Sequence, residues 1–255
     1  MELQGTPVLV TGGAQGLGEA TAVHLASLGA RVTVLDIQLE RAQAVAERIG
    51  GLALHCDVTD PDSAQAAIAA ARARHGVARL LVNCAGGGAA RRVVGKDGPM
   101  PMADFIKVVN LNLFGAFNMT RLAAAEMMAA EPADAVNGER GLVLFTASVA
   151  AFEGQVGQAA YTASKGALAA LTIQLAREFA PQGVRAMAVA PGIFHTPLLE
   201  TLPLAAQQAL ADSIPFPRRL GRPEEFAQLV GDIARNSYLN GEVIRIDGAV
   251  RLAPR

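Results

Sequence analysis

The chain has 255 residues, of which 51% are hydrophobic and 4% aromatic, so it is long enough for a large α/β unit whose core is built mainly from Ala, Val, Leu and Ile. Lys and Arg number 22 and Asp and Glu 23, a balance that gives no electrostatic reason to expect nucleic acid or an anionic membrane as a partner. The four histidines, His24, His55, His75 and His195, lack the spacing of metal ligands, so we expect no bound metal.

Three features predict a cytoplasmic protein. No apolar run reaches the ~18 residues needed to span a bilayer. The first predicted strand begins at about Pro7 and follows a short segment that contains acidic Glu2, so a cleaved signal peptide is not expected. Cys56 and Cys84 lie at the ends of strand-like runs and are predicted to be buried thiols in a reducing compartment rather than a disulfide.

Strand-like and helical segments alternate at short intervals along the chain. Apolar runs predict strands at 7–11, 31–36, 52–57, 79–84, 141–147, 184–190 and 242–247. Helical patterns cover about 19–28, 38–49, 60–75, 102–130, a segment from before Tyr161 to about 180, and 223–234. This alternation predicts an α/β fold of the Rossmann type, a doubly wound parallel β-sheet with helices on both faces. Because no repeat or linker interrupts it, we expect residues 1–255 to form a single domain, with 193–222 as a Pro-punctuated substrate flap.

A glycine-rich segment connects the first predicted strand to the first predicted helix. Glycines at such a turn let the backbone approach a ligand closely, and the helix N-terminus offers free N–H groups to a pyrophosphate. Glycines in a loop are weak evidence alone, but this position strengthens the interpretation. The expected cofactor contacts in this segment are Gly12, Gln15, Gly16, Leu17 and Gly18.

Polar residues end the next three predicted strands. Asp36 at the second can accept hydrogen bonds from ribose hydroxyls and would repel a 2′-phosphate, which predicts NAD rather than NADP; the alternative is a turn residue or helix cap. Asp57 and Val58 at the third are expected at the adenine edge. The segment Asn83, Cys84, Ala85 and Gly86 at the fourth is expected on the ribose side of the cofactor.

Tyr161 and Lys165 are spaced to share one face of a helix, about one turn apart. A free phenol has a pKa near ~10, and a neighbouring ammonium favours the phenolate, so Lys165 is predicted to lower the pKa of Tyr161. Ser148, at the end of a predicted strand, can offer a hydroxyl to a substrate oxygen. Taken separately, the pair is also typical of a helix surface and the serine of a turn or cap.

Together these residues identify a resemblance. Thr-Gly-x-x-x-Gly-x-Gly at 11–18, Asn-Cys-Ala-Gly at 83–86, Ser148, Tyr161-x-x-x-Lys165 and Pro191-Gly192 resemble, in order and over nearly the whole chain, the short-chain dehydrogenase/reductase family. Cys84 and Met187 stand where members of that family often have Asn.

The resemblance implies specific roles. Tyr161 would be the general acid/base, Lys165 would lower its pKa and bind the nicotinamide ribose, and Ser148 would hold the substrate oxygen. Asn112 would be the fourth catalytic residue, with Asn110 as its rival. The residues expected to close over the nicotinamide are Pro191, Gly192, Phe194 and Thr196.

The segments 147–161, 216–221 and 239–249 resemble the 3-hydroxyacyl-CoA dehydrogenase branch of the family, which implies a short-chain (S)-3-hydroxyacyl-CoA substrate and fatty acid metabolism. A hydroxysteroid dehydrogenase, a 3-ketoacyl thioester reductase and, last, a non-catalytic NAD-binding protein are the alternatives. Family members usually form tetramers. Two sets of residues could meet the substrate, although packing or solvent exposure would explain them equally well or better: Leu198, Leu199, Leu202 and Leu204, and the basic loop Arg91, Arg92 and Lys96.

Overall fold

The computed structural model describes residues 1–200 and 202–254, apart from the side chain of Leu198. In this part of the chain the strands are β1 (Pro7–Thr11), β2 (Arg31–Asp36), β3 (Leu52–His55), β4 (Leu80–Asn83), β5 (Val94–Gly95), β6 (Gly98–Pro99), β7 (Gly141–Thr146), β8 (Val184–Pro191) and β9 (Val243–Ile246). Seven of these described strands form one parallel sheet in the order β3-β2-β1-β4-β7-β8-β9, and β5 and β6 form a small antiparallel hairpin.

Helices cover both faces of the sheet. The α-helices are α1 (Gly16–Ser27), α2 (Leu39–Ile49), α3 (Pro61–His75), α4 (Met102–Val109), α5 (Gly115–Ala129), α6 (Ala159–Phe179), α7 (Pro197–Glu200), α8 (Leu204–Asp212) and α9 (Pro223–Arg235). Leu9 of β1 packs in a cluster with Met119 of α5, whereas its neighbours Val8 and Val10 pack on the other face with Phe226 of α9. The predicted fold class is therefore confirmed. No helix in the described ranges is long and apolar enough to cross a membrane.

The strand order reverses beside β1. The chain runs outward from β1 to β3 and then returns to β4 on the other side of β1, where Thr11 is in register with Asn83. Ligands of open parallel sheets bind at the carboxyl ends of the strands where such a reversal occurs. The predicted cofactor residues follow these strand ends.

The predicted helix at 102–130 contains an irregular segment. A π-helical turn, Asn110–Phe114, separates α4 from α5, and the N–H of Gly115 bonds to the carbonyl of Asn110, five residues earlier. The side-chain amide of Asn112 donates to the carbonyl of Val108 at 2.9 Å. That carbonyl would accept the backbone N–H of Asn112 in an α-helix, so the side chain competes with the regular bond and favours the wider turn.

Three other boundaries differ from prediction. The first helix begins at Gly16 rather than near Glu19, the loop at 91–101 contains the β5–β6 hairpin, and the flap at 193–222 contains α7 and α8. Short hairpins and short helices depend on tertiary contacts, which explains why the sequence pattern missed them.

Candidate active site

The glycine loop fits closely between α1 and β4. A Cβ atom at Gly12, where φ is +61°, would lie 2.7 Å from backbone atoms of Ala85, and one at Gly18 would lie 2.1 Å from the carbonyl oxygen of Gly12. Neither position has room for a side chain. The loop that ends at Gln15 therefore keeps the first turn of α1, which contains Leu17, at the edge of the crevice, where its N–H groups can bind an anion.

Thr11, at the end of β1, is a site residue that we did not predict as a contact. Its hydroxyl accepts hydrogen bonds of 3.1 Å from the backbone N–H groups of both Cys84 and Ala85. These two bonds hold the chain after β4 beside the glycine loop. The sequence signal for this role was a hydroxyl side chain at the end of an otherwise apolar strand. In the structure this side chain is buried.

Asp36 lies at the end of β2, buried beside the glycine loop. Its carboxylate accepts bonds from the backbone N–H of Ala14 at 3.1 Å and of Gln38 at 2.9 Å. These bonds orient the two oxygens and leave lone pairs to accept hydroxyl groups. Arg41, whose guanidinium donates to Gln15 at 3.0 Å, is the nearby cation that sequence reasoning did not consider.

Asp57 and Val58 follow β3. Asp57 accepts bonds from both the backbone N–H and the hydroxyl of Thr59, at 2.9 and 2.7 Å, so its carboxylate stabilises the turn. Val58 is buried, and a Cβ atom at Gly115 would lie 2.5 Å from its side chain. The backbone of this turn is thus fixed against α5.

The four residues 83–86, which begin with the last residue of β4, have different roles. Asn83 is buried and donates to the Thr120 hydroxyl and the Leu144 carbonyl, both at 3.4 Å, so its side chain points into the core and only its backbone can face the ribose side. Burial raises the pKa of the Cys84 thiol to about 11, opposed by the Thr146 hydroxyl and the charge of Lys165. The backbone of Ala85 lies directly against Gly12.

Gly86 brings the main chain against two predicted catalytic residues. A Cβ atom at Gly86 would lie 2.7 Å from Oδ1 of Asn112 and 3.5 Å from Nζ of Lys165. Asn112 is buried in the π-helical turn, donates to the carbonyl of Gly87 at 2.6 Å and accepts from its N–H at 3.2 Å. Asn112 therefore fixes the loop after β4 to α4 and α5, close to Lys165.

Ser148 lies just beyond β7. Its hydroxyl oxygen accepts a bond of 3.1 Å from the N–H of Ala150 and caps the short 3₁₀ turn Val149–Ala151. The capping role that we considered as the alternative is therefore present. The hydroxyl proton stays available for another acceptor, so the cap and a catalytic role are compatible.

Tyr161 lies in the first turn of α6, and Lys165 follows one turn later. Lys165 is 4% exposed, and its ammonium group lies 5.5 Å from the Tyr161 ring centroid and donates to the carbonyl of Thr146 at 2.7 Å. Burial lowers the pKa of Lys165 to about 8, opposed by Cys84. Both residues are thus held at the carboxyl end of β7, beside Ser148.

The predicted lowering of the pKa of Tyr161 is wrong for the protein chain by itself. Burial raises the pKa of this phenol, and the hydroxyl of Ser148 opposes the rise only in part. Desolvation of the phenolate outweighs the neighbouring hydroxyl because the ring is packed against the backbone of Gly88, where a Cβ atom would lie 3.0 Å away. The N-terminus of α6, which begins at Ala159, provides a partial positive charge that favours the phenolate.

The segment after β8 crosses towards the glycine loop. Pro191 is buried, and a Cβ atom at Gly192 would lie 2.8 Å from the side chain of Asp247. Thr196 lies beside Gly16, with its methyl carbon 3.7 Å from where a Cβ atom of that glycine would be. Thr196 therefore lies beside the start of α1, and closure of this segment over a nicotinamide stays a prediction.

Phe194, which is predicted to touch the cofactor, follows β8. Its ring is buried and packs edge-on against Phe226, with the centroids 6.4 Å apart. The side chain therefore contributes to the core, and its contact with a cofactor stays a prediction. An apolar residue in a loop gave no signal to distinguish these two environments.

A hollow of about 480 Å³ lies beside the start of α6. It is lined by residues of three segments, namely Arg92, Val93, Val94, Gly154, Gln155, Val156, Gly157, Ala159 and Thr162. Within the basic loop, the guanidinium of Arg91 pairs with Asp104. Lys96 follows β5 and is exposed. The hollow therefore includes one residue of the predicted basic loop, Arg92.

The predicted leucines of the flap are not buried together. Leu199 is half-buried, whereas Leu202 and Leu204 are 40% and 82% exposed. The side chain of Leu198 lies outside the described part of the chain. In the described residues no group of three or more His, Cys, Asp or Glu side chains is placed to hold a metal ion.

Residues 6–206 match the short chain dehydrogenase family model, and the chain belongs to this family. It is an oxidoreductase. The cattle protein named 3-hydroxyacyl-CoA dehydrogenase type-2 is 47% identical over 99% of this chain and 97% of its own length.

Solved structures agree in fold and length. The crystal structure of 3-hydroxyacyl-CoA dehydrogenase type-2 from Mycobacterium avium has a TM-score of 0.93 and 44% identity, and the match covers 98% of each chain. A 7α-hydroxysteroid dehydrogenase, solved with NADH and 7-oxo glycochenodeoxycholic acid, has a TM-score of 0.88 and 29% identity over 100% of this chain and 97% of that one.

Proposed function

We propose that this protein is an NAD-dependent dehydrogenase that oxidises (S)-3-hydroxyacyl-CoA to 3-ketoacyl-CoA in fatty acid metabolism. The observation that carries the proposal is the position of Tyr161, beside Ser148 and Lys165 at the start of α6, where Ala159 and Thr162 line the hollow. The likeness to full-length relatives named 3-hydroxyacyl-CoA dehydrogenase type-2 supports the choice of substrate. Hydroxysteroid oxidation is the second candidate, favoured by the likeness to the 7α-hydroxysteroid dehydrogenase.

The crevice fits a dinucleotide. The glycine loop has the close packing that a Cβ atom at Gly12 or Gly18 would destroy, and the N-terminus of α1 suits a pyrophosphate. Asp36 would accept bonds from the adenosine ribose and repel a 2′-phosphate, which favours NAD over NADP. The backbone of Asn83 to Gly86, the turn at Asp57 and Val58, and Pro191, Gly192, Phe194 and Thr196 would complete the site.

A nicotinamide bound there would supply the hydride acceptor. Ser148 would hold the substrate hydroxyl by a hydrogen bond, and the Tyr161 phenolate would take the proton of that hydroxyl. Lys165 would stabilise the phenolate and hold the nicotinamide ribose, while Asn112 holds the neighbouring loop. Because burial alone raises the pKa of Tyr161, the phenolate depends on the positive charges of Lys165 and of the α6 N-terminus.

We also propose a cytoplasmic homotetramer with one domain and residues 193–222 as the substrate flap. Exposed apolar side chains on α4, the π-helical turn and α5 support an interface between copies, namely Met102, Ile106, Phe114 and Phe117. Free thiols at Cys56 and Cys84 are consistent with a reducing compartment. Light scattering of the purified protein measures the assembly directly.

Reduction of acetoacetyl-CoA, followed with NADH and separately with NADPH, tests the activity. Tyr161→Phe should lower kcat by about 10²- to 10⁴-fold, the usual contribution of a general acid or base, while cofactor affinity is retained. Tyr238→Phe changes the other tyrosine, which is 98% exposed, and serves as the matched control. Near-normal turnover by Tyr161→Phe would rule out the assigned role, and turnover of a hydroxysteroid alone would favour the second candidate.

A further inference from the structure

The segment at 152–158 connects the two predicted catalytic side chains. It begins after the 3₁₀ turn that Ser148 caps and ends where α6 begins, ahead of Tyr161. Gly154, Gln155, Val156 and Gly157 form one wall of the hollow. The position of this segment therefore decides the shape of the wall.

The C-terminal tail, residues 251–254, runs beside this segment. The N–H of Leu252 donates to the Glu153 carboxylate at 2.9 Å. The Gln155 amide donates to the carbonyl of Ala253 at 2.9 Å, and the N–H of Val156 donates to the carbonyl of Pro254 at 3.0 Å. Three hydrogen bonds thus join successive residues of the tail to the wall.

Charged side chains reinforce the contact. Glu153 pairs with Arg245 at 2.8 Å and with Arg251 at 3.3 Å. Asp247 pairs with the same two arginines at 2.7 and 3.2 Å. The carboxylates are only 16% and 10% exposed, so this network is less screened than isolated surface pairs are. Arg245 also lies 5.6 Å from the ring centroid of Phe152.

We propose that Glu153 and the tail 251–254 are positioning elements that hold the 152–158 wall in place for the acyl-CoA substrate. Glu153 is central because it joins the segment to both β9, through Arg245, and the tail, through Arg251 and Leu252. Releasing the wall would weaken substrate binding more than it would slow chemistry, because Tyr161 and Lys165 remain held by α6. The substrate side of this inference rests on the proposed function; the contact itself does not.

Two variants test it, Glu153→Gln and deletion of residues 252–255, which removes the tail beyond Arg251 while leaving Glu153 intact. Glu126→Gln is the matched control because it makes the same change in another half-buried pair, Arg72–Glu126 at 3.3 Å. The measurements are hydrogen exchange of a peptide covering 152–158, KM and kcat with acetoacetyl-CoA, and cofactor Kd.

Exchange at 152–158 should quicken by about tenfold in both test variants and stay unchanged in the control, because protection depends on the free energy of local opening. KM for acetoacetyl-CoA should rise by about tenfold, with kcat within about threefold and cofactor Kd unchanged. The inference would be overturned if the test variants exchanged at 152–158 as slowly as the wild type, or if they exchanged faster while KM for acetoacetyl-CoA stayed unchanged. Hydrogen exchange needs no substrate. If the wild-type protein failed to reduce acetoacetyl-CoA, that result would count against the proposed function alone. Hydrogen exchange would then still decide whether the tail holds the wall.

Discussion

The ammonium group of Lys165 donates a hydrogen bond of 2.7 Å to the carbonyl oxygen of Thr146, two residues before Ser148. This bond ties α6 to the end of β7 and fixes the distance between the two elements that carry the proposed catalytic hydroxyls. The lysine is buried, and its burial lowers its pKa to about 8. The site therefore holds a charge that the folded protein would be more stable without.

Lys165→Met should separate activity from stability. A shift from 10.5 to about 8 corresponds to roughly 3 kcal/mol of destabilisation from the buried charge. The folded pKa lies below the unfolded one, so this cost is fully present below pH 8 and disappears as pH rises to about 10.5. We expect kcat to fall by about 10²-fold or more.

We also expect the Tm difference between Lys165→Met and wild type to decrease from pH 7 to pH 9.5, with the variant more favoured at the lower pH. Loss of the hydrogen bond to Thr146 changes the Tm difference by the same amount at every pH, so it does not affect how the Tm difference varies with pH. Calorimetry across this range measures it. A difference that is constant with pH would show that the pKa of Lys165 is not lowered in the folded protein and that the lysine stays charged throughout this range.

Asn112 and Asn110 give a paired test of the fourth catalytic position. Asn112→Ala leaves the N–H and carbonyl of Gly87 and the carbonyl of Val108 without their side-chain partner. Each unsatisfied buried group costs about 1–3 kcal/mol, so both Tm and kcat should fall, the latter by about tenfold or more. Asn110→Ala, in the same turn, should stay close to wild type. The reverse result would assign the role to Asn110.

The regular parts of the fold could be predicted because each has a local pattern. Apolar runs locate the parallel strands, which are buried on both faces of the sheet. Glycine is required at positions 12 and 18 because the backbone there leaves no room for a Cβ atom. Asp36 follows from its position at the end of the second strand. These features depend on a few neighbouring residues, so the sequence shows them directly.

The remaining features depend on contacts between distant segments. The π-helical turn arises where the Asn112 side chain reaches Val108 and Gly87, and no periodicity marks it. Phe194 faces the core because Phe226 lies beneath it. The raised pKa of Tyr161 results from burial, which the spacing of Tyr161 and Lys165 does not reveal. The contact of the tail with Glu153 joins residues 99 positions apart.

Asp36→Asn should weaken selection of the cofactor. The amide keeps one oxygen to accept a backbone N–H but loses the charge that orders the loop at Ala14 and Gln38. Hydrogen bonds to a charged group contribute about 1.5–3 kcal/mol, so KM for NADH should rise by about tenfold or more. Loss of repulsion should lower KM for NADPH in parallel. Asp232→Asn, on the exposed face of α9, is the control, and an unchanged ratio of the two KM values in Asp36→Asn would contradict the proposed preference for NAD.

Acid sensitivity should come in part from two histidines. The Nε2 atoms of His24 and His75 are buried and make no hydrogen bond within the described part of the chain. Burial is the main cause that lowers the pKa of each histidine. At His24, the charge of Asp232 opposes this effect and that of Arg235 adds to it. At His75, the charges of Arg74 and Arg31 lower the pKa further. The folded state therefore favours the neutral rings.

Because the folded pKa values lie below the unfolded value of 6.5, the unfolded chain takes up protons first as pH falls. The contribution of neutral His24 and His75 to the free energy of unfolding is fully present above pH 6.5. It is lost as pH falls through the folded pKa values. Urea unfolding at pH 7.5 and 5.5 should show a smaller loss for the double variant His24→Gln, His75→Gln than for wild type. His55→Gln, at an exposed position, is the control and should keep the wild-type loss. Equal losses in all three proteins would show that these buried rings do not contribute to acid sensitivity.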